Sequence, residues 1–323
     1  MSFNPGQSFI LGFRGFEIDS EFAKLISEFS PAGYLLLGDN YRDISQLKAL
    51  IAELKRVSGP RALIMVDQEP GRVQRFKKSF PTSKSPEYYL KHPIPEFKKW
   101  CSETAALLAD IGINVNLLPM LDLWPLEREY AVLNGRSFGA DPERVTEFAL
   151  IAMEEFRKEG VFTCGKHFPG LGAAQGDPHD TLARSDEKLE RFLDYHWRPF
   201  KAAALNDVKL MMTTHLFCHS LDSLESATFS RNVISHLRNT IGHKGPIISD
   251  DLYMGGARAG ESMGEASLKA LEAGHNLLII SRDAKLQRES LEFLKKHFEE
   301  NQYFGKIAAE NERAIETLFS SPR

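Results

Sequence analysis

Residues 62–69 read Ala62-Leu63-Ile64-Met65-Val66-Asp67-Gln68-Glu69, a short β-rich apolar run that stops abruptly at two carboxylates. Seven further runs of this kind follow the same plan: Phe9 to Phe13, Gly33 to Leu37, Asn114 to Leu118, Val161 to Gly165, Lys209 to Thr213, Pro246 to Ser249 and Leu277 to Ser281. Between them lie amphipathic helical patterns such as Ser45 to Val57, Phe97 to Ile111, Pro142 to Glu159, Leu189 to Leu205, Asn232 to Ile241 and Lys285 to Phe298, with a closing helix near Ile307 to Phe319. Alternation of this sort is the pattern of repeated βα units around a parallel sheet. Eight evenly spread units without a Pro/Gly/Ser-rich linker predict an α/β fold, one closed (β/α)8 TIM-type barrel forming a single domain over residues 1–323. An open doubly wound sheet shares the alternation. Asp141-Pro142-Glu143 is a specific helix start, with a capping carboxylate before a proline at the first helical position.

The composition, 42% hydrophobic and 26% charged over 323 residues, is that of an ordinary globular protein able to bury a sizeable core. No segment reaches the ~18 uncharged apolar residues of a membrane span. Met1-Ser2-Phe3-Asn4-Pro5-Gly6 lacks the basic region and apolar run of a secretory leader, so a cytoplasmic location is expected. A formal net charge of −4 without a long lysine or arginine block speaks against nucleic acid or an anionic membrane as partner, and leaves a small or neutral molecule as the ligand of an expected monomer. Cys101, Cys164 and Cys218 are scattered and free of CxxC spacing, which predicts buried apolar residues rather than disulfides or a thiolate zinc site. No metal and no cofactor is expected.

In a barrel of this type the reactive groups come from the carboxyl ends of the strands. The third run ends in Asp67 and Glu69, the fifth in Lys166 and His167, the sixth in His215 and the seventh in Asp250 and Asp251. An acid at such a place can also cap the next helix, a role that suits Asp251 better than Asp250. Alternation puts Asp250 on the face of Ile248 and Asp251 on that of Ser249, so both acids are not expected in the barrel mouth together, and alternation does not say which one enters. His215 taken alone reads as readily as a hydrogen-bonded structural histidine. The connections 69–95 and 121–139 are long for βα loops, which favours a functional role. In the glycine-rich stretch from Lys166 to Asp180, Asp177 and His179 lie two residues apart, near enough for the carboxylate to fix the imidazole's tautomer and stabilise its protonated form. An imidazole so tuned can act as acid and then base near neutral pH. A polar surface loop with an incidental histidine is the plainer alternative.

Four motifs carry a resemblance: Val66-Asp67-Gln68-Glu69-Pro70-Gly71-Arg72-Val73-Gln74-Arg75-Phe76, Gly135-Arg136-Ser137-Phe138, the segment Lys166 to Gly172 with the downstream Asp177-Pro178-His179, and Ser249-Asp250-Asp251-Leu252-Tyr253-Met254. In this order and at these strand ends the chain resembles family 3 glycoside hydrolases, and among them the single-domain β-N-acetylglucosaminidases of bacterial peptidoglycan recycling. The resemblance implies a retaining β-N-acetylhexosaminidase that removes terminal non-reducing β-N-acetylhexosamine from peptidoglycan fragments. It further implies that Asp250 is the nucleophile, that His179 is the acid/base supported by Asp177, and that Asp67, Arg75, Arg136, Lys166 and His167 bind the terminal sugar; His215 is placed with that sugar-binding set. Departures are Leu171 where the family has a second histidine, Pro70 for a glycine and Pro178 for a serine.

Other readings start from the same residues. A β-glucosidase or β-xylosidase of the same family would lack acetamido specificity, and those enzymes typically add a second sheet domain. A phosphorylase would exploit a histidine's tolerance of an incoming phosphate. A metal-dependent barrel hydrolase would use His167, His179, His215 and Asp250, although these lack the short spacing of common zinc motifs. An inactive sugar-binding protein is disfavoured because the nucleophile and acid positions are both filled.

Overall fold

Each of the eight apolar runs becomes a strand, and together they close on themselves. In the computed structural model, which describes residues 4–126, 132–174, 182–255, 257–258, 260–300 and 302–320, the strands in chain order are β1 (Phe9–Gly12), β2 (Gly33–Leu36), β3 (Leu63–Val66), β4 (Val115–Asn116), β5 (Phe162–Phe168), β6 (Ala183–Ser185), β7 (Leu210–Thr213), β8 (Leu216–Cys218), β9 (Ile247–Asp251) and β10 (Leu277–Ile280). The closed parallel barrel has the order β1-β10-β9-β7-β5-β4-β3-β2, and β6 pairs with β8 in a separate two-stranded parallel sheet. A strand with side chains packed on both faces needs apolar residues at successive positions, which is why these runs do not alternate with polar ones. Ile10, Met65, Cys164, Met212, Ile248 and Ile279 pack inside the barrel, while Leu11, Ile64, Ile247 and Leu278 face the helices.

The helices behave largely as their end signals dictate. Asp141 accepts a hydrogen bond from the Glu143 N–H at 3.0 Å, Pro142 occupies the first turn, and the helix Pro142–Lys158 stops just before Gly160. The stretch expected as one helix from Leu189 to Leu205 is interrupted: a wide turn over Phe192–His196 separates Leu189–Arg191 from Arg198–Leu205. Pro199 has no N–H to continue the ladder, and the Trp197 N–H reaches back to the Phe192 carbonyl at 2.8 Å. That register lets the Trp197 indole donate to the Pro169 carbonyl at 2.9 Å and stack on Phe168, 5.4 Å between centroids, so the break holds the end of β5. No helix among the described residues is long and apolar enough to cross a membrane.

Two irregularities decide what faces the barrel mouth. On β9, Ile248 pairs with Leu277 and Asp251 with Ile279, so three steps on β9 oppose two on β10. On β5, Gly165 pairs with Met211 and Phe168 with Thr213, again three steps against two. Each is a bulge that adds one residue to its strand and re-aims the side chains beyond it.

Candidate active site

A cavity of about 530 Å³ opens at the carboxyl ends of the strands, of a size to hold a sugar. Asp67, Arg75, Arg136, Lys166, His167 and Asp250, expected at the site, all line it. Lys166 and His167 are adjacent, yet both reach the cavity because the β5 bulge falls between Gly165 and Phe168. Asp250 and Asp251 both border it, but the Asp251 carboxylate is turned to Tyr253 and Ser281, so the two acid groups do not enter the mouth together, as alternation leads one to expect.

On the β3 side the polar residues form one line of alternating charge, Arg75–Asp67–Lys166–Glu69–Arg136. Asp67 Oδ2 accepts from Arg75 Nη2 at 2.8 Å and its Oδ1 from Lys166 Nζ at 2.7 Å. Lys166 Nζ also contacts Glu69 Oε1 at 2.6 Å, and Glu69 accepts both Nε and Nη2 of Arg136, at 2.9 and 2.7 Å. Burial by itself would raise the Asp67 carboxyl, but the Lys166 and Arg75 charges outweigh it and hold Asp67 well below the usual carboxylate range. The same contest, won by Arg136 and Lys166, brings Glu69 down to about 2. Burial also works against the Lys166 and Arg136 charges, and their carboxylate partners raise both. All five groups are therefore ionised together. Asp67 keeps lone pairs beyond its two cations, enough to accept from vicinal hydroxyls.

His167 is set by Asp122, a fully buried acid. Asp122 Oδ2 accepts from the His167 N–H at 3.1 Å and pairs with Nδ1 at 2.6 Å, while its Oδ1 accepts from the Leu171 N–H at 2.6 Å. One carboxylate thus fixes the imidazole's tautomer and the chain that leaves β5. Leu171 then packs with Met120, Trp124, Ala174, Ala183 and Leu216. Gly172 lies so close to the segment that follows β4 that a Cβ there would fall 1.9 Å from the Leu123 carbonyl oxygen, which only glycine permits. Neither Asp122 nor the role of Glu69 was singled out from the sequence. Glu69 carries a signal, since it stands two residues from Asp67, and Asp122 follows the apolar run Leu117 to Leu121 as Asp67 follows Val66.

β9 lies four strands from β3 around the barrel, so Asp250 faces Asp67 across the mouth. Asp250 Oδ1 accepts the Asp251 N–H at 2.8 Å. Asp251 turns its carboxylate the other way: Oδ1 accepts the N–H groups of Tyr253 at 3.0 Å and Ser281 at 3.1 Å, and Oδ2 accepts the Ser281 hydroxyl. Burial pushes its carboxyl up to about 6. His215 does not join the sugar-facing set: it is fully buried behind the end of β9, with Nδ1 on the Thr228 hydroxyl at 2.8 Å and Nε2 on the Asp251 carbonyl at 3.0 Å. Asp177 and His179 lie outside the described residues. Among the described residues no group of three or more His, Cys, Asp or Glu side chains is placed to hold a metal ion. Cys101, Cys164 and Cys218 are free and buried.

Known proteins share this architecture. A solved structure of a β-N-acetylglucosaminidase of glycoside hydrolase family 3 from Paenibacillus superposes with a TM-score of 0.91 at 27% identity over 97% of this chain, which spans 61% of that longer one. NagZ from Neisseria gonorrhoeae, solved in complex with N-trifluoroacetyl-D-glucosamine, superposes at 0.80 with 28% identity, covering 92% of this chain and 86% of that one. In sequence the chain is 33% identical over 278 residues to a β-hexosaminidase of Tolumonas auensis, covering 84% of this chain and 81% of that protein. It is 32% identical over 277 residues to one of Neisseria meningitidis, covering 82% and 75%. The model of the glycosyl hydrolase family 3 N-terminal domain matches residues 9–313, and with the β3 charge line facing Asp250 across the barrel mouth, the chain belongs to glycosyl hydrolase family 3.

Proposed function

We propose that this protein is a retaining exo-β-N-acetylglucosaminidase that works through a covalent glycosyl-enzyme on Asp250. The observation that carries the proposal is the opposition of Asp250 to the Arg75–Asp67–Lys166 line across one cavity. Asp67, Arg75, Arg136, Lys166 and His167 hold the non-reducing sugar by its hydroxyl and carbonyl oxygens. That leaves its anomeric carbon toward β9. An Asp250 oxygen attacks this carbon as the bond to the leaving oxygen breaks, and His179, supported by Asp177, gives that oxygen a proton. Water, surrendering a proton to His179, then cleaves the ester, and the sugar departs as the β-anomer. Asp251 does not react: its carboxylate is committed to Tyr253 and Ser281. His215 supports the Asp251 carbonyl rather than the sugar.

The natural substrate is a fragment of peptidoglycan, taken up as a small soluble glycoside by a cytoplasmic monomer; the buried free cysteines suit that reducing compartment. A panel of aryl β-glycosides of N-acetylglucosamine, N-acetylgalactosamine, glucose and xylose tests the specificity, and N-acetylglucosamine should be cleaved fastest. Equal cleavage of the glucoside would contradict it. Rates unaltered by added phosphate are expected for a hydrolase, and a phosphate-dependent rate with a sugar phosphate product would mark a phosphorylase.

A further inference from the structure

The residue that carries the nucleophilic carboxylate has no strand partner of its own. The last pair of β9 with β7 is Ser249 with Thr213, and its next pair with β10 is Asp251 with Ile279, so Asp250 falls in the bulge between them. A bulge leaves its extra residue outside the ladder, and something other than the sheet must then hold the backbone there. The Asp251 N–H donates to Asp250 Oδ1 at 2.8 Å, so the Asp250 carboxylate takes its rotation from the Asp251 backbone. On one side that backbone is tied through the Asp251 carboxylate to the N–H groups of Tyr253 and Ser281. On the other, the Asp251 carbonyl faces His215 Nε2 at 3.0 Å.

A proton count fixes the direction of that contact. A carbonyl only accepts, so Nε2 carries the hydrogen, and in the neutral imidazole Nδ1 is then the acceptor. The Thr228 hydroxyl, 2.8 Å from Nδ1, has one proton to give, and the Thr214 carbonyl competes for it from the longer distance of 3.3 Å. His215 and Thr228 are both fully buried, so bulk water does not compete. The loop that carries Thr228, between β8 and the helix Arg231–Asn239, is itself stapled. Asp222 accepts there from the N–H groups of Leu224 at 2.9 Å and Glu225 at 3.1 Å and from the Ser230 hydroxyl at 2.6 Å. We infer that Thr228 and His215 are positioning residues for the nucleophile. The chain of hydrogen bonds from Thr228 through His215 to the Asp251 carbonyl transmits the order of this loop to the Asp250 carboxylate, and neither residue touches the sugar. Attack on an anomeric carbon tolerates little misplacement of the attacking oxygen, so loosening this chain slows the chemical step without weakening the hold on the sugar.

The inference rests on the glycosidase reading, and the test separates the two. A glutamine can place an amide N–H where Nε2 stands, whereas the shorter asparagine reaches only the position of Nδ1. With a slow 5-fluoro N-acetylglucosaminyl substrate at saturation, adduct formation should slow by about tenfold or more in His215→Asn, while the Kd for N-acetylglucosamine stays within about twofold. His215→Gln should recover most of the rate. Thr228→Val, which keeps the shape and loses the hydroxyl, should show a smaller fall of the same kind, and Thr228→Ser should recover most of it; this pair decides the matter if the His215 variants do not fold. A wild-type trapping rate in Thr228→Val, equal losses in the two His215 variants, or a loss of sugar affinity that accounts for the fall overturns the positioning role. Failure of the wild type to cleave any aryl β-N-acetylglucosaminide overturns instead the glycosidase reading beneath it.

Discussion

The backbone N–H of Asp251 donates to Oδ1 of Asp250 across 2.8 Å, so two adjacent acids divide one task. Asp250 faces the cavity, and Asp251, tied to Ser281, Tyr253 and the His215 imidazole, holds the amide that aims it.

That division has a pH signature in stability. Burial raises the folded-state Asp251 carboxyl to about 6, against about 4 in an unfolded chain. A carboxyl raised on folding stabilises the fold fully below its unfolded value, and this contribution disappears as pH climbs through about 6. Asp251→Asn removes the titration, so the variant should gain in Tm relative to the wild type as pH goes from 4 to 7. Thermal unfolding of both proteins across that range is the check, and a constant difference would mean that Asp251 titrates alike in both states.

The buried pair Glu69–Arg136 should be costly to break from one side. Glu69→Gln leaves Arg136 and Lys166 without a full counter-charge in a site where Glu69 is 2% exposed, and a loss of about 3–5 kcal/mol is expected in denaturant unfolding. Replacing both partners, Glu69→Leu with Arg136→Met, should recover much of that stability while activity stays lost. In the wild type the Glu69 contribution is present above about 4.5 and lost as pH falls toward 2. A Glu69→Gln midpoint equal to wild type would show that the pair carries no stability.

Asp67→Asn keeps the shape of the side chain but removes the charge that two cations share. Sugar hydroxyls then lose charged acceptors, and kcat/KM should fall by about 10²-fold or more. Some stability should go with it, since buried Lys166 keeps only Glu69 as a full counter-charge. Kinetics on an aryl N-acetylglucosaminide together with circular dichroism will separate these effects; unchanged kcat/KM would remove Asp67 from the site.

Much of this is legible in the sequence. The run Ala62 to Val66 ending at Asp67 has a strand's composition and a barrel rim's chemistry, and Asp141-Pro142 fixes a helix start by local capping alone. The exits of β5 and β9 were not legible, because a bulge is set by pairing with a neighbouring strand distant in sequence, and no local pattern reports it. The break at Trp197 likewise depends on Pro169, 28 residues away. The Asp122–His167 pair spans 45 residues and two strand ends, and emerges only when β4 and β5 lie side by side.

His179 should matter in proportion to how much the departing oxygen needs a proton. General acid catalysis is commonly worth about 10²- to 10⁴-fold, so His179→Ala should slow a disaccharide by that order and a dinitrophenyl glycoside far less. A small added nucleophile such as azide should accelerate the variant on the activated substrate if deglycosylation limits it. Equal loss on both substrates would give His179 a binding or structural role.

The identity of the nucleophile is tested most directly by trapping. A slow 5-fluoro N-acetylglucosaminyl substrate should accumulate a covalent adduct, and peptide mass spectrometry should place it on Asp250. A label on Asp251, or release of the α-anomer without any adduct, would contradict the assignment.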